Sequence, residues 1–443
     1  MKDSRVPWIG SIPVFWEMRK ISRSFSVIGS GTTPSTSNSS FHEEGSIPWV
    51  NTGDLNDNFV IEPKKKLTEY AFKEHSTLRL YPIGTLLIAM YGATIGKVGI
   101  LGVGACTNQA CCALAEPKNF EMRFVYYWFL DNRKNLVTLS FGSSQPNINQ
   151  DLIRQLRIQA PPIPIQRCIT AYLDEQTAKI DRLINMRRRQ MELLKEQWAA
   201  LIQQAVTRGL DPDAPMKDSG IPWLGEIPVH WKKTKLLRIA PRGRGMFVNG
   251  PFGSDLLTSE LTDSGVPVVY IRDIQANGYL RVSEVCVTPE KAASLDVCRV
   301  DAGDIVVAKV GTPPGTAAIY PDTEPSGIVT QDVIRIKTDP RKVVAEFIVY
   351  WLNSDAGRAS IDQISVESTR MRVDLESYKS LRIWLPPVEE QRKIKEFIQN
   401  ETAKTNDLIA SYARQLTLLA EYRAALIHEC VTGQRTVDET SLS

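Results

Sequence analysis

Between residues 166 and 207 the chain contains neither proline nor glycine, and apolar or small side chains return every three or four positions. They fall at Ile169, Leu173, Ile180, Leu183, Leu194, Trp198, Leu201 and Ala205, with Gln176 and Arg187 as the two polar lapses. The positions between carry Asp174, Glu175, Lys179, Asp181, Arg182, Arg188 and Arg189. One apolar seam at heptad-like spacing, flanked by charge, predicts a long helix. A second run near the end, Ile394, Ile398, Leu408, Leu416, Leu419 and Leu426, keeps the same spacing. Each helix would be roughly 60 Å long, more than one small domain can cover, so the economical arrangement packs the two on each other. Pro161-Pro162 and Pro386-Pro387 stand in front of them and stop the preceding elements.

The sequence before each helix has a different rhythm. Short β-branched runs such as 266–271 and 304–310 alternate with clusters of Gly, Pro, Asn and Asp, the pattern of mixed, β-leaning domains. Apolar stripes at 124–128 and 347–351 are expected on core helices.

These patterns occur twice because the chain repeats itself. Residues 1–21 read MKDSRVPWIGSIPVFWEMRKI and residues 216–236 read MKDSGIPWLGEIPVHWKKTKL. The prolines and lone glycine of this segment argue for an extended arm, pinned by Trp8, Trp16, Trp223 and Trp231 rather than using them to stack on bases. Weaker echoes lay 48–55 over 267–274, 84–89 over 303–308 and Asn108-Gln109 over Thr330-Gln331. The loops that follow the 84–89 and 303–308 strands differ: Gly92 to Lys97 in one half, Gly311 to Gly315 in the other. Gln166-Arg167 matches Gln391-Arg392, Thr177-Ala178-Lys179 matches Thr402-Ala403-Lys404, and 199–202 matches 424–427. Two similar halves imply an approximate two-fold axis and antiparallel helices. The expected fold is α+β: two mixed β-rich domains related by a pseudo-two-fold and separated by two long antiparallel helices forming a coiled coil. The expected boundaries are 1–159 for the first domain, 160–209 for the first helix, 210–384 for the second domain, 385–434 for the second helix, and 435–443 for a flexible tail. Residues 215–236 repeat the N-terminal arm.

Composition narrows the function classes. With 53 Lys and Arg against 50 Asp and Glu, the net charge of +3 permits local contact with nucleic acid without demanding it. No apolar run approaches a membrane span, and Met1 is followed by Lys, Asp, Ser and Arg, so a cytoplasmic protein is expected. Seven cysteines form no Cys-x-x-Cys pair, and the alternation of Cys106, Cys111 and Cys112 with apolar residues reads as buried strand rather than a metal site. His42, His75, His230 and His428 lack metal-ligand spacing.

Several segments together resemble the specificity subunits of type I restriction–modification systems. They are the duplicated Ile-Pro-x-x-Trp arm, residues 45–55 and 84–96, Thr107-Asn108-Gln109, Gln145-Pro146-Asn147-Ile148, the segment from Asn249 to Ser254, and the twin Pro-Pro-x-x-x-Gln-Arg helix starts. The resemblance spans essentially the whole chain. One departure is Ile165, where the family usually has an acidic residue before the glutamine, as Glu390 provides in the second copy. The resemblance implies two target-recognition domains, each reading one half of an asymmetric bipartite site in double-stranded DNA. It implies helices that set the spacer and dock two modification subunits, which would carry S-adenosylmethionine and methylate adenine. Restriction subunits using ATP and magnesium would cut unmethylated DNA, and this chain itself would bind no cofactor and meet no membrane.

Base-edge contacts carry sequence information while basic groups hold phosphates, so the divergent polar loops supply the candidates. In the first half these are Thr32, Thr33, Asn51, Tyr91, Lys97, Ser143, Ser144, Gln145 and Asn147. In the second they are Asn249, Ser254, Arg272, Lys309, Ser368, Thr369, Arg370 and Arg372. The run Lys64-Lys65-Lys66 fits a solvated face or phosphate contact. Helix pairing or subunit docking is assigned to Gln166, Arg167, Leu173, Ile180, Leu194, Leu201, Gln391, Arg392, Ile398, Leu408, Leu419 and Leu426. Two rival classes fit the sequence less well. An adenine methyltransferase would need an Asn/Asp-Pro-Pro-aromatic loop, which none of the Pro-Pro pairs at 161, 313 and 386 forms. A phosphate loop is not met either: the segment from Gly92 to Lys97 is one residue short and lacks the following hydroxyl. A coiled-coil adaptor without DNA binding would explain the helices but not two mixed domains with divergent loops.

Overall fold

The computed structural model describes residues 1–139, 147–251, 255–311, 314–365 and 371–437. The chain forms two compact units, one made of residues 1–187 and 413–443, the other of residues 188–412.

In the first unit five strands lie in the order Phe25–Gly29, Cys111–Pro117, Leu86–Ala89, Val98–Leu101, Asn58–Val60. All neighbours are antiparallel except the last pair. The central Leu-Leu-Ile-Ala strand is wholly buried because both faces are covered. Leu86 and Ile88 join a core with Phe124, Val125 and Trp128 of the helix Met122–Thr138. Leu87 and Ala89 join the opposite core with Val27, Val50 and Leu101. A three-stranded sheet, Cys106–Thr107, Ile47–Val50, Lys65–Leu67, packs on that second face.

The second unit repeats the plan. Its four strands run Phe247–Asn249, Val333–Ile336, Ile305–Ala308, Ala317–Ile319, all antiparallel. Ile305 and Val307 face the helical core, while Val306 and Ala308 face the other. Each arm ends in a strand tied to the one that precedes a long helix: Glu17–Lys20 to Arg157–Ala160, and Lys232–Lys235 to Arg382–Leu385. Trp16 and Trp231 are buried arm anchors, Trp8 is partly buried, and Trp223 is 41% exposed with its indole N–H on Ser360 Oγ at 3.1 Å.

Each long helix is unbroken, Ile163–Arg208 and Val388–Thr432. Within the first unit the start of one lies antiparallel to the end of the other. Arg423 pairs with Asp181 at 3.1 Å, and Arg435 reaches the Tyr172 hydroxyl at 3.4 Å. Ile169, Leu173 and Ile180 share a core there with Leu426, Ile427, Cys430 and Val431. Within the second unit Trp198 Nε1 donates to Thr402 Oγ1 at 3.0 Å, and Ile202, Ala205 and Val206 share a core with Ile394 and Ile398. Among the described residues no helix is long and apolar enough to cross a membrane. Burial pushes the Cys106, Cys112 and Cys430 thiols up to about 12, in keeping with cysteines that fill cores.

Three expectations need correction. The apolar seam is only partly covered at mid-helix: Leu183 is 44% and Leu408 45% exposed and Leu194, Leu201 and Leu419 are half-buried, with full burial near the ends where a domain packs. The chain beyond 434 is not a free tail as far as it is described, since Val437 joins the first core and Arg435 pairs with Glu429 at 2.9 Å. The two glutamines face neither the second helix nor solvent. Gln166 accepts from Glu121 N at 2.8 Å and donates to Pro161 O at 2.8 Å, and Gln391 accepts from Val344 N at 2.8 Å and donates to Pro386 O at 2.9 Å. Both are fully buried locks between a long helix and its own domain, whereas Arg167 and Arg392 beside them are exposed. The acidic residue that precedes the glutamine in the second copy is an internal partner. Glu390 accepts from Trp231 Nε1 at 3.1 Å and pairs with His230 at 2.7 Å. With Ile165 in the corresponding place, Trp16 Nε1 is buried without a hydrogen-bond partner among the described residues.

An orphaned buried donor costs about 1–3 kcal/mol. Glu390→Ile should therefore lower the urea midpoint of the chain, and Ile165→Glu should hold or raise it. A Glu390→Ile chain as stable as the native one would refute the role given to this carboxylate.

Candidate nucleic-acid interface

Strand direction gathers the divergent loops of each unit at one end of its sheets. In the first unit Met90, just past the central strand, donates its N–H to Ala110 O at 2.8 Å, and Ala110 N donates to Asn108 Oδ1 at 3.1 Å. Asn108 N donates to Val50 O at 3.1 Å and its carbonyl accepts from Gly31 N at 3.3 Å. Asn108 Nδ2 donates to Asn51 Oδ1 at 3.1 Å, and Thr33 Oγ1 donates to Gln109 Oε1 at 2.5 Å. Tyr91 forms a bridge with Asn147, supported by Ile148 N on Met90 O at 2.8 Å. Thr32, Thr33, Asn51, Tyr91, Lys97 and Asn147 therefore share one end of the unit.

The second unit builds the same end from different side chains. Thr330 N donates to Val269 O and Gly250 N to Thr330 O, both at 3.1 Å. Val310 bridges Arg372, with Val373 N on Lys309 O at 3.2 Å and Lys309 N on Asp332 O at 2.7 Å. After the paired strands Ile47–Val50 and Val266–Val269, the chain turns by one rule. Asp54 Oδ2 accepts from Asn51 N at 2.9 Å, and Asp273 Oδ2 accepts from Tyr270 N at 2.8 Å. Asn249, Arg272, Lys309 and Arg372 lie at this end.

Close approach of backbones fixes two glycines. A Cβ on Gly31 would sit 1.7 Å from Thr107 O, and one on Gly250 2.0 Å from Val329 O. These two positions let the loops at 30–33 and 249–251 cross the neighbouring strand ends.

The candidates differ in what they leave available. Asn51 uses its amide on Asn108 and on Trp49 O at 3.4 Å, and Asn249 uses its amide on Gly250 O at 3.2 Å and Gln331 O at 3.4 Å, so both brace loops. Thr32 is a backbone acceptor for Trp49 Nε1 at 3.3 Å. Arg272 is exposed, lying over the Tyr270 ring at 5.0 Å with Nε on Ser283 Oγ at 2.5 Å. Arg372 is exposed with Asp332 at 3.7 Å, and Asn147 is exposed. Burial, and then the neighbouring Arg372, hold the Lys309 ammonium below its usual pKa. Asp332 and Asp374 act in the opposite sense, so the two cations already share carboxylate neighbours. The run 64–66 is exposed, with Lys65 over Trp49. Ser143, Ser144, Gln145, Ser254, Ser368, Thr369 and Arg370 lie outside the described residues. Asn108 and Gln109 also belong to this end, and their pairing with Thr330-Gln331 in the repeat is the sequence signal that marks them; Asp332 follows directly after that pair.

Hydroxyls, amides, guanidinium and ammonium groups in this setting can hydrogen-bond base edges and phosphates. Among the described residues no group of three or more His, Cys, Asp or Glu could hold a metal.

The family described as the type I restriction modification DNA specificity domain matches residues 13–193 and 253–418. The type I restriction enzyme MjaIX specificity subunit of Methanocaldococcus jannaschii is 30% identical over 193 residues, 42% of this chain and 43% of that protein. The MjaVIII specificity subunit of the same organism is 22% identical over 404 residues, 88% of this chain and 86% of that one. Among solved structures, the HsdS subunit from Thermoanaerobacter tengcongensis has a TM-score of 0.59 at 15% identity, covering 98% of this chain and all 100% of that chain. A chain from work on complex assembly and conformational transition of the type I system has a TM-score of 0.73 at 15% identity, covering 96% and 100%. At that identity the likeness is one of fold.

The glycine geometry sets an expectation. Gly31→Ala and Gly250→Ala should each cost about 1–3 kcal/mol by forcing the crossing strands apart, read as a lower urea midpoint. Gly53→Ala, with open space at its Cβ, should be near neutral. Equal stability of all three variants would contradict the close approach.

Proposed function

This chain belongs to the type I restriction–modification DNA specificity family, and from that premise we propose how its two units divide the work. It is a DNA-recognition subunit and not itself the catalyst. Each unit reads one half of an asymmetric bipartite target with the loops gathered at its sheet end. The observation that carries this reading is the recurrence of one backbone scaffold, Val50–Asn108–Gly31 and Val269–Thr330–Gly250, under loops whose side chains differ. Equal scaffolds place both loop sets against a duplex in the same way, and unequal loops make the two half-sites different.

In the first unit Thr33, Lys97 and Asn147, and in the second Arg272, Lys309 and Arg372, are the side chains assigned to DNA. Ser143, Ser144, Gln145, Ser254, Ser368, Thr369 and Arg370 are assigned with them on sequence alone. The two long helices fix the number of base pairs between half-sites and offer their exposed middles, including Leu183 and Leu408, to two modification subunits. Those subunits would bring S-adenosylmethionine, and restriction subunits would bring ATP and magnesium. The work takes place on DNA in the cytoplasm.

Mapping methylated adenines in a host that expresses the chain with its modification subunit should give an asymmetric two-part site. A continuous site, or no preferred site, would overturn the reading. Inserting one heptad within 185–195 adds about 10 Å of helix, close to three base pairs of duplex, so the spacer should lengthen while both half-sites keep their identity. Changed half-sites with an unchanged spacer would show that the helices do not set the separation.

The salt dependence separates two roles for Arg372. As a phosphate contact, its replacement by Ala should weaken binding to all duplexes and reduce the log–log salt slope by about 0.9. As a base contact it should relax preference at one position. Unchanged affinity and preference would remove it from the interface.

A further inference from the structure

The hairpin turn at the recognition end of each unit is gripped by an arginine, and the two units do so with residues that do not correspond in the repeat. In the first unit the turn closes through Gly96 N on Ala89 O at 2.8 Å, and the returning strand begins at Val98. Asp57, in a left-handed conformation at φ 58°, donates its N–H to Val98 O at 2.9 Å, and its Oδ1 accepts from Val98 N at 3.1 Å. Arg133 ion-pairs with that same oxygen and donates Nε to Gly96 O at 3.0 Å.

In the second unit Gly315 N closes on Ala308 O at 2.8 Å, and the returning strand begins at Ala317. Asn353 Oδ1 accepts from Ala317 N at 3.0 Å, and Asn353 Nδ2 donates to Ala317 O at 2.8 Å. Arg358 donates to that same Oδ1 at 3.1 Å and to Pro314 O at 3.1 Å. The parts are the same: one residue satisfies both backbone groups at the start of the return strand, and a guanidinium bridges its oxygen to a carbonyl of the turn. The sources differ, since Asp57 precedes Val98 by 41 positions whereas Asn353 follows Ala317 by 36. Inheritance of one ancestral half does not place equivalent groups on opposite sides of the hairpin. A requirement on the turn itself does.

That requirement follows from what the hairpins carry. Lys97 stands on the first turn, and Lys309 leads into the second. A phosphate contact tolerates a shifting loop, because a long cationic side chain can follow the charge. A base-edge contact does not, because donor and acceptor must meet within a few tenths of an ångström. Resting on the recognition role set out above, we propose that Arg133 and Arg358 are specificity-positioning residues. Each holds its turn rigid, so that a mismatched base pair cannot be met by movement of the loop.

The test uses the full chain assembled with its modification subunits. Competition binding compares the target duplex with duplexes carrying a substitution in one half-site or the other. Arg133→Met and Arg358→Met keep the apolar stem and remove the bridge. Each should reduce discrimination about fivefold or more at one half-site only, a different one for each variant, with the salt slope unchanged. Asp57→Asn keeps the bridging oxygen and suits the left-handed backbone, so it should retain native discrimination. Native discrimination in both arginine variants would overturn the proposal. So would equal loss at both half-sites by either variant, the sign of a general loss of structure. A native complex with no preference for its target would overturn the recognition reading itself, a result distinct from either of these.

Discussion

Neither half of this sequence closes its own core. The first unit takes residues 1–187 and completes itself with 413–443 from the far end of the chain, and the second is built from 188–412. In the first, Ile169, Leu173 and Ile180 are covered by Leu426, Ile427, Cys430 and Val431. In the second, Ile202, Ala205 and Val206 meet Ile394 and Ile398. Each long helix thus begins in the unit of its own half and ends in the core of the other. Folding of either unit therefore depends on both helices, and the sheets, locks and recognition loops rest on that exchange.

On this base the molecule separates what must be kept from what must vary. The buried glutamine at each helix start, the central strand buried on both faces, and the aspartate-closed turn after the paired strand recur with the same bonds. All are backbone-directed, so they set where a loop begins without specifying its side chains. The side chains at the sheet ends are then free to differ: amides and hydroxyls around Asn108 in one unit, a Lys309, Arg372 and Asp332 cluster in the other. Such a division suits a protein whose two recognition surfaces face the same kind of ligand and must read different parts of it.

Much of this was legible in the sequence because it lay in repeated, short-range patterns. The arms, the stripes at 124–128 and 347–351, the proline-stopped helices and the Asn108-Gln109 echo all fell where the repeat placed them. The failures have physical causes. Heptad spacing marks which face of a helix is apolar, but Leu183 and Leu408 show that it does not say where along the length a domain arrives to cover that face. The repeat places Gln166 and Gln391 at equivalent helix starts, which suits pairing or docking, but it does not show that their amides close on the backbone of their own domains. Asp57 with Arg133 and Asn353 with Arg358 have no shared motif or spacing, so comparison of the halves could not align them. Asn51 and Asn249 carry amides that suit a base edge, and the structure shows that these amides also brace loops.

If the two half-chains complete each other through their helices while each carries its own half of the target, one half should be able to pair with a second copy of itself. The most direct measurement expresses residues 1–215 alone with the modification subunit and maps methylated adenines across the host genome. Since 199–202 repeats 424–427 and ends in the same kind of apolar core, a second copy of the fragment can supply the missing helix end. Two identical recognition domains related by a true two-fold must read an inverted repeat. The expected result is a palindromic site built from one half of the parental target. A folded, dimeric fragment that still directs methylation to the parental asymmetric site would contradict it.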